Sequence, residues 1–384
     1  MILSRALTSE LTELETPLYY YDLSLLQKTI DIYTFYLNKY GYHAHYALKA
    51  NANEPVIERM RAAGLGADCV SGNEVALALK CRFDPKKVIF AGVGKSDKEI
   101  VTGLKGGIFS FNCESIPEIE VIEGLAAGLG LTASITLRVN PNIDAHTHKY
   151  ITTGRSQDKF GISPSMFDEV WNVVSRSKHL RLLGLHFHIG SQITDLNIFK
   201  ALCDRVNTLQ GWFLDKGVRL ELFNLGGGLG VDYESPFDHP IPDFARYFEL
   251  IHKHLRVLPH QEVHFEPGRA LVAQCGFLLS RVLYVKRDRG VKFAILDAGM
   301  NDLIRPALYG ARHHILNLSS TGRMMRYHVV GPVCESSDCF GKSILLSECK
   351  RGDLIALCTC GAYGQVMSMR YNQRDLAGEV YGPL

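Results

Sequence analysis

HYALKAN, residues 45–51, sets Lys49 at the end of an otherwise apolar, strand-like run. Desolvating an ammonium is costly unless the charge is paired or neutralised. A lysine in such a place either snorkels to solvent from a strand end or has a chemical task, such as forming a Schiff base with an aldehyde. The run also decides the architecture, because segments of the same kind recur along the chain. Strand candidates are Ala44–Lys49, Ala67–Ser71, Val88–Gly92, Ile108–Asn112, Ile135–Asn140, Leu182–Ile189, Leu222–Gly226 and Val263–Glu266. Amphipathic segments such as Pro55–Ala63, Asn73–Cys81, Asp97–Leu104, Pro164–Ser175 and Leu196–Asp215 lie between them. Eight near-continuous apolar strands with room for crossover helices predict a (β/α)8 TIM-type barrel of parallel strands, with a doubly wound open sheet as the alternative.

Beyond residue 270 the pattern turns to short strand-like segments with little helix: Phe277–Lys286, Lys292–Leu296, Arg326–Val330 and Asp353–Cys358. They predict a C-terminal β-barrel or sandwich. PLYYYD (Pro17–Asp22) is strand-like too, precedes a helix at about Leu25–Tyr40, and is a candidate to pair with that domain. The expected division is an α/β barrel over 22–268 and a β domain made of 1–21 plus 269–384.

Composition narrows the function classes. With 384 residues, 46% hydrophobic and 21% charged, the chain has the make-up of a soluble globular protein of two domains. A formal net charge of +2 without long charged blocks argues against nucleic-acid or membrane-surface partners. No apolar run approaches the roughly 18 residues of a membrane helix. The N-terminus lacks the apolar core of a secretory signal. Ten scattered cysteines with no CxxC pair read as reduced thiols in a cytoplasmic protein.

In such barrels chemistry gathers at the C-terminal ends of the strands, and here the unusual polar residues fall on those ends. Lys49, Asp68, Asn112, Arg138, Asn140, His188, Gly226-Gly227-Gly228 and Glu266 form a ring of them. The three glycines either make a turn or let backbone N–H groups approach a phosphate. In EPGR, Glu266 through Gly268 to Arg269, the carboxylate suits a protonated pyridine nitrogen, worth about 4 kcal/mol for charges about 4 Å apart at an effective dielectric near 20. A protonated ring is an electron sink for a carbanion. Arg269 suits a phosphate or a substrate carboxylate.

His186 and His188 share a strand face, but no third ligand follows at metal spacing, so no metal is expected and a stacking role for His188 is the better reading. His146 and His148, with Lys149 and Lys159, make either a solvated loop or one that closes over substrate. PVCESSDCFG places Cys334 beside Glu335 and Asp338, either as a structural thiol or as a proton-transfer cluster. CGAYG sets Tyr363 between glycines, where its hydroxyl could approach a phosphate.

Taken in order, YALKAN, ADCVSGNE, TGRSQDKFGI, HFHIGSQI, NLGGGLG, EPGR, AGMNDLIRPALYGA, CESSD and GAYG resemble the alanine-racemase-like, fold type III pyridoxal-phosphate enzymes. Within that family the chain is similar to the diaminopimelate and ornithine decarboxylase branch. TGRSQDKFGI and MNDLIRPALYGA look like the diaminopimelate side, since Arg305 and Tyr309 stand where the ornithine branch presents acidic residues. The resemblance implies a carboxy-lyase that uses pyridoxal 5'-phosphate to convert meso-2,6-diaminopimelate to L-lysine and carbon dioxide, the last step of lysine biosynthesis. It implies that Lys49 holds the cofactor and His188 stacks on its ring. Glu266 pairs with the ring nitrogen, Ser191, Gly226–Gly228, Arg269 and Tyr363 surround the phosphate, and Asp68 and Gly268 belong to the same cofactor site. Arg269, Arg305, Tyr309, Glu335 and Tyr363 would contact the amino-acid substrate, and Cys334 would donate the proton to Cα. It further implies a homodimer whose Cys-Glu-Ser segment, in the β domain that carries the dimer contacts, reaches the neighbouring subunit's site. The alternatives are decarboxylation of another diamino acid (carboxynorspermidine, ornithine or arginine), amino-acid racemisation, or a binding protein that has lost the chemistry.

Overall fold

The computed structural model describes residues 11, 13–143 and 159–382. His146, His148 and Lys149 lie outside the described residues. The chain divides into two compact units: Met1–Thr29, Val231–Pro242 and Arg269–Leu384 form one, and Ile30–Gly230 with Asp243–Gly268 form the other.

The first strand, β1 (Leu18–Asp22), belongs to the unit that contains the C-terminus. The other unit is a closed barrel of eight strands: β2 (His43–Ala47), β3 (Gly66–Cys69), β4 (Val88–Phe90), β5 (Ser110–Cys113), β6 (Ala133–Arg138), β7 (Leu180–His186), β8 (Leu222–Asn224) and β9 (Glu262–Phe265). Every neighbouring pair is parallel, and β9 returns to β2 through His43↔His264 and Ala44↔Phe265. All eight segments read from the sequence are strands. The strands nearly all stop one to three residues before the expected ends, because the polar and glycine residues there turn out of the ladder. Lys49 is one such case: β2 ends at Ala47, and Leu48–Ala50 form a single 3-10 turn. Ser71 likewise leaves the strand to cap the helix Gly72–Lys80, its Oγ accepting from Glu74 N–H at 3.2 Å, as N-cap serines do.

The other unit contains β10 (Gly276–Asp288), β11 (Val291–Leu296), β12 (Ile315–Asn317), β13 (Met324–Val330), β14 (Cys339–Ser347), β15 (Leu354–Leu357) and β16 (Gly378–Gly382). With β1 they form one mixed eight-stranded sheet in the order β12-β15-β10-β11-β13-β14, with β1 joining β10 and β16. PLYYYD thus pairs with β10 antiparallel and with β16 parallel. Leu18, Tyr20, Phe277, Leu279, Leu354 and Ala356 pack as one core cluster on this sheet. No helix among the described residues is long and apolar enough to cross a membrane.

Candidate active site

The 3-10 turn after β2 brings Lys49 Nζ to 3.9 Å from Asp68 Oδ2 on neighbouring β3. The lysine side chain is 36% exposed, whereas that of Asp68 is 1% exposed. The amine is therefore held at an accessible mouth and is not a deeply buried charge, which favours the strand-end reading of its packing without removing its chemistry. Among the described residues, neither carboxylate oxygen of Asp68 has a hydrogen-bond donor. Burial raises the Asp68 carboxyl well above its ordinary range and Glu266 adds to the rise, while Lys49 acts against it.

Glu266 is the polar hub of the barrel. Its Oε1 accepts from Asn112 Nδ2 at 3.1 Å and from Asn224 Nδ2 at 2.8 Å, and its Oε2 lies 3.0 Å from His186 Nε2. Thr136 donates to Asn112 Oδ1 at 2.6 Å and so fixes which way that amide faces. Burial alone would raise the Glu266 carboxyl. The electrostatic pull and hydrogen bond of His186, with Lys49 beyond, prevail and hold it well below the usual carboxylate range. A buried carboxylate kept anionic suits a protonated ring nitrogen.

The two histidines of HFHIG thus do different things. His186 ends β7 and serves Glu266, whereas His188, two residues further, accepts from Gly227 N–H at 3.4 Å. Burial first, then the charges of Lys49 and Arg138, hold the His188 imidazole well below its ordinary range, so it is a neutral flat ring.

Close packing explains the glycine run. A Cβ on Gly226 would lie 2.2 Å from the Phe187 carbonyl oxygen, and one on Gly227 would lie 2.3 Å from that of Glu266. Gly226 and Gly228 also have φ of +68° and +107°, where side chains are strained. The N–H of Gly226 is engaged by Asn224 Oδ1 at 2.9 Å. Lys49, Lys95, Arg138, His186, His188 and Glu266 share a cleft of about 350 Å³, a size suited to a small ligand. Two of its cations are already committed: Lys95 bonds Glu118 at 2.6 Å, and Arg138 bonds Glu114 at 2.6 Å. Ser191 lies in the loop that follows β7.

A second constellation lies within the unit that holds the mixed sheet. Arg269 donates to Tyr233 Oη at 2.6 Å and stands 4.9 Å from the Tyr363 ring centre. Arg305 stands 5.3 Å from the Tyr233 ring and donates through Nε to His313 Nε2 at 3.5 Å. His313 Nδ1 is 2.9 Å from the Cys358 carbonyl, which can only accept, so Nε2 is the unprotonated atom facing Arg305. Arg305 is 5% exposed, and among the described residues no carboxylate pairs with it. Tyr309 ends the short helix that Arg305 begins.

In PVCESSD the members separate. Asp338 is buried and accepts from Val333 and Met300 N–H, both at 2.7 Å, so its two oxygens hold the turn. Cys334 is exposed, and Glu335 accepts from Tyr371 at 2.6 Å and Ser337 at 3.0 Å. Asn224, Tyr233, His313 and the role of His186 escape a reading of the sequence. An asparagine ending an apolar strand was the one available signal, and Tyr233 and His313 offered none.

Residues 27–273 match the family model described as "Pyridoxal-dependent decarboxylase, pyridoxal binding domain". A diaminopimelate decarboxylase of Bacteroides thetaiotaomicron is 52% identical over 94% of this chain and 94% of its own length. One from Neisseria meningitidis serogroup A is 41% identical over 95% of this chain and 89% of its own. Among solved structures, the diaminopimelate decarboxylase of Helicobacter pylori complexed with L-lysine superposes with a TM-score of 0.91 at 38% identity, covering 97% of this chain and 93% of the other.

Proposed function

Since the chain belongs to the pyridoxal-dependent decarboxylases, and within them to the diaminopimelate decarboxylase family, we propose that it decarboxylates meso-2,6-diaminopimelate to L-lysine and carbon dioxide. The observation that carries the substrate reading is Arg305, a buried guanidinium with no carboxylate partner among the described residues. A diamino acid with a second carboxylate satisfies that charge, whereas a simple ammonium tail leaves it unpaired.

The residues present fit pyridoxal 5'-phosphate: a lysine at the mouth of the cleft, an unsatisfied buried carboxyl beside it, a carboxylate held anionic and a close-packed glycine loop. When bound, the cofactor supplies a sink for the electron pair left at Cα as carbon dioxide departs. Lys49 would hold its aldehyde carbon. Asp68, its carboxyl raised by burial and by Glu266, would stand beside that lysine in the cofactor site. Glu266 would keep the ring nitrogen protonated, and the neutral His188 ring would stack on it. Ser191, Gly226–Gly228, Arg269 and Tyr363 are assigned to the phosphate, and Gly268 with Asp68 to the same cofactor site. Arg269, Arg305, Tyr309, Glu335 and Tyr363 are assigned to substrate, and Cys334 Sγ to delivery of a proton to Cα.

We further infer two domains, residues 22–268 holding the cofactor and 1–21 with 269–384 forming the β domain. The exposure of Cys334 supports an active homodimer in which this segment serves the partner's site. Ten free cysteines support a cytoplasmic location.

Product identification tests the reading. Purified protein with added pyridoxal 5'-phosphate is given meso-diaminopimelate, ornithine, arginine and carboxynorspermidine in parallel. Lysine formed from diaminopimelate alone is the expected result. Preferential turnover of any other substrate overturns the assignment of Arg305.

A further inference from the structure

At the N-terminal end of the barrel strands, opposite the end that carries Lys49, three donor side chains converge. Glu262 and His264 are two apart on β9 and so share a face, and His43 on β2 is the register partner of His264. One donor atom from each lies within 4.8 Å of the others. His264 Nε2 is 2.9 Å and His43 Nε2 is 3.9 Å from the same oxygen, Glu262 Oε2. Donors around one tetrahedral zinc, with bonds of ~2.0–2.2 Å, stand roughly 3.3 Å apart, so small rotations bring all three onto a shared ion. We propose that His43, Glu262 and His264 bind one divalent transition-metal ion of the zinc type.

The hydrogen bonds behind the cluster fix its polarity. The Lys87 carbonyl, 2.9 Å from His45 Nδ1, can only accept, so His45 donates to it. A neutral His45 then offers Nε2 as an acceptor to His264 Nδ1–H, 2.9 Å away. His264 Nε2 is left with its lone pair facing a carboxylate oxygen. Two acceptors at that distance need a cation between them, either a second proton on His264 or a metal ion. A second imidazole aimed at the same oxygen is what a metal requires and an ion pair does not. The relay from His264 through His45 to a carbonyl is the outer support that metal-ligating histidines have. His45 and His264 are buried, whereas the side chains of His43 and Glu262 are 50% and 54% exposed, leaving an entry path and a position for water. Two imidazoles and one carboxylate suit zinc, nickel, copper or iron over magnesium or calcium.

The ion would join the first and last strands of the barrel at the seam where the ladder closes through two register pairs. It is therefore a staple of the fold and takes no part in turnover. The holoenzyme, cleared of metal with a chelator, is titrated with zinc by calorimetry, and its melting temperature and turnover are read with and without the ion. His43→Asn and Glu262→Gln, both at half-exposed positions, serve as the variants. The expected result is one zinc per chain and a raised melting temperature, with turnover unchanged. Each variant should weaken this binding by at least the ~10- to ~100-fold typical of changes in a ligand's support and abolish the thermal shift. Equal affinity in wild type and His43→Asn overturns the site, and so does a melting temperature indifferent to zinc, which leaves His264 and Glu262 as an ion pair alone.

Discussion

Asn224 and Glu266 are joined at 2.8 Å, and the same asparagine holds Gly226 N–H at 2.9 Å with its other amide atom. One side chain thereby couples the buried carboxylate to the glycine loop. Asn224→Ala removes both bonds. A hydrogen bond to a charged group contributes about 1.5–3 kcal/mol, so the affinity for pyridoxal 5'-phosphate should fall at least ~10-fold. Equilibrium titration of the apoenzyme reads this directly, and an unchanged affinity would remove Asn224 from the site.

Glu266→Gln keeps an acceptor for Asn112 and Asn224 and deletes the charge. The charge pair with a ring nitrogen is of order 4 kcal/mol, much of it offset in water-accessible states, so kcat should fall about 10²- to 10³-fold. Stability should respond to pH in a defined window. The folded carboxyl sits well below its ordinary range, whereas an unfolded glutamate titrates near ~4.3. Its contribution is thus full above about pH 5 and is lost as pH falls toward the folded value. Acid unfolding of wild type and Glu266→Gln should therefore converge as pH drops below about 4.

Glu266 and Lys49 were legible in the sequence because a charged residue at the end of an apolar strand has few packing reasons to be there, and Arg269 because it follows Glu266 in EPGR. The eight barrel strands were legible for the related reason that strands buried on both faces read as unbroken apolar runs. Asn224 was not legible, because its partners are set by how β8 and β9 align and not by local pattern. In the mixed sheet, β12 has three residues and β16 begins and ends in glycine, so neither carries a periodic signal. His313 is a further case, since its pairing with Arg305 depends on a carbonyl 45 residues further along the chain.

Asp68→Asn separates stability from function. Burial with no hydrogen-bond donor makes the carboxyl a liability in the fold, and the amide removes its charge. Removing a charge that burial disfavours should raise the apoenzyme melting temperature at neutral pH while activity falls. A raised folded-state value means that wild type loses stability as pH climbs above the unfolded aspartate's ~3.9. The gap between variant and wild type should widen from about pH 4 upward. Thermal scans at pH 4 and 7 that show the same gap would contradict the raised carboxyl.

Arg305→Met fills the buried volume and removes the guanidinium. Leaving one partner of a desolvated charge pair alone costs about 2–5 kcal/mol, so kcat/KM for meso-diaminopimelate should fall at least ~30-fold. The apoenzyme should be no less stable, because burial of this charge is already unfavourable, lowering the arginine below its ordinary range. Steady-state kinetics beside a melting curve distinguishes lost recognition from a damaged fold.

Cys334 and Lys49 allow the shared site to be tested by complementation. Each alanine variant alone should be nearly inactive, since Lys49 would hold the cofactor and general acids contribute roughly 10²- to 10⁴-fold. If Cys334 serves the site of the partner subunit, mixed dimers of Lys49→Ala with Cys334→Ala contain one site with both residues intact. Random exchange of subunits should then restore about one quarter of the wild-type rate, as expected for a two-fold symmetric pair. If both residues act within one chain, every site in the mixture lacks one of them, and refolding the two variants together restores nothing.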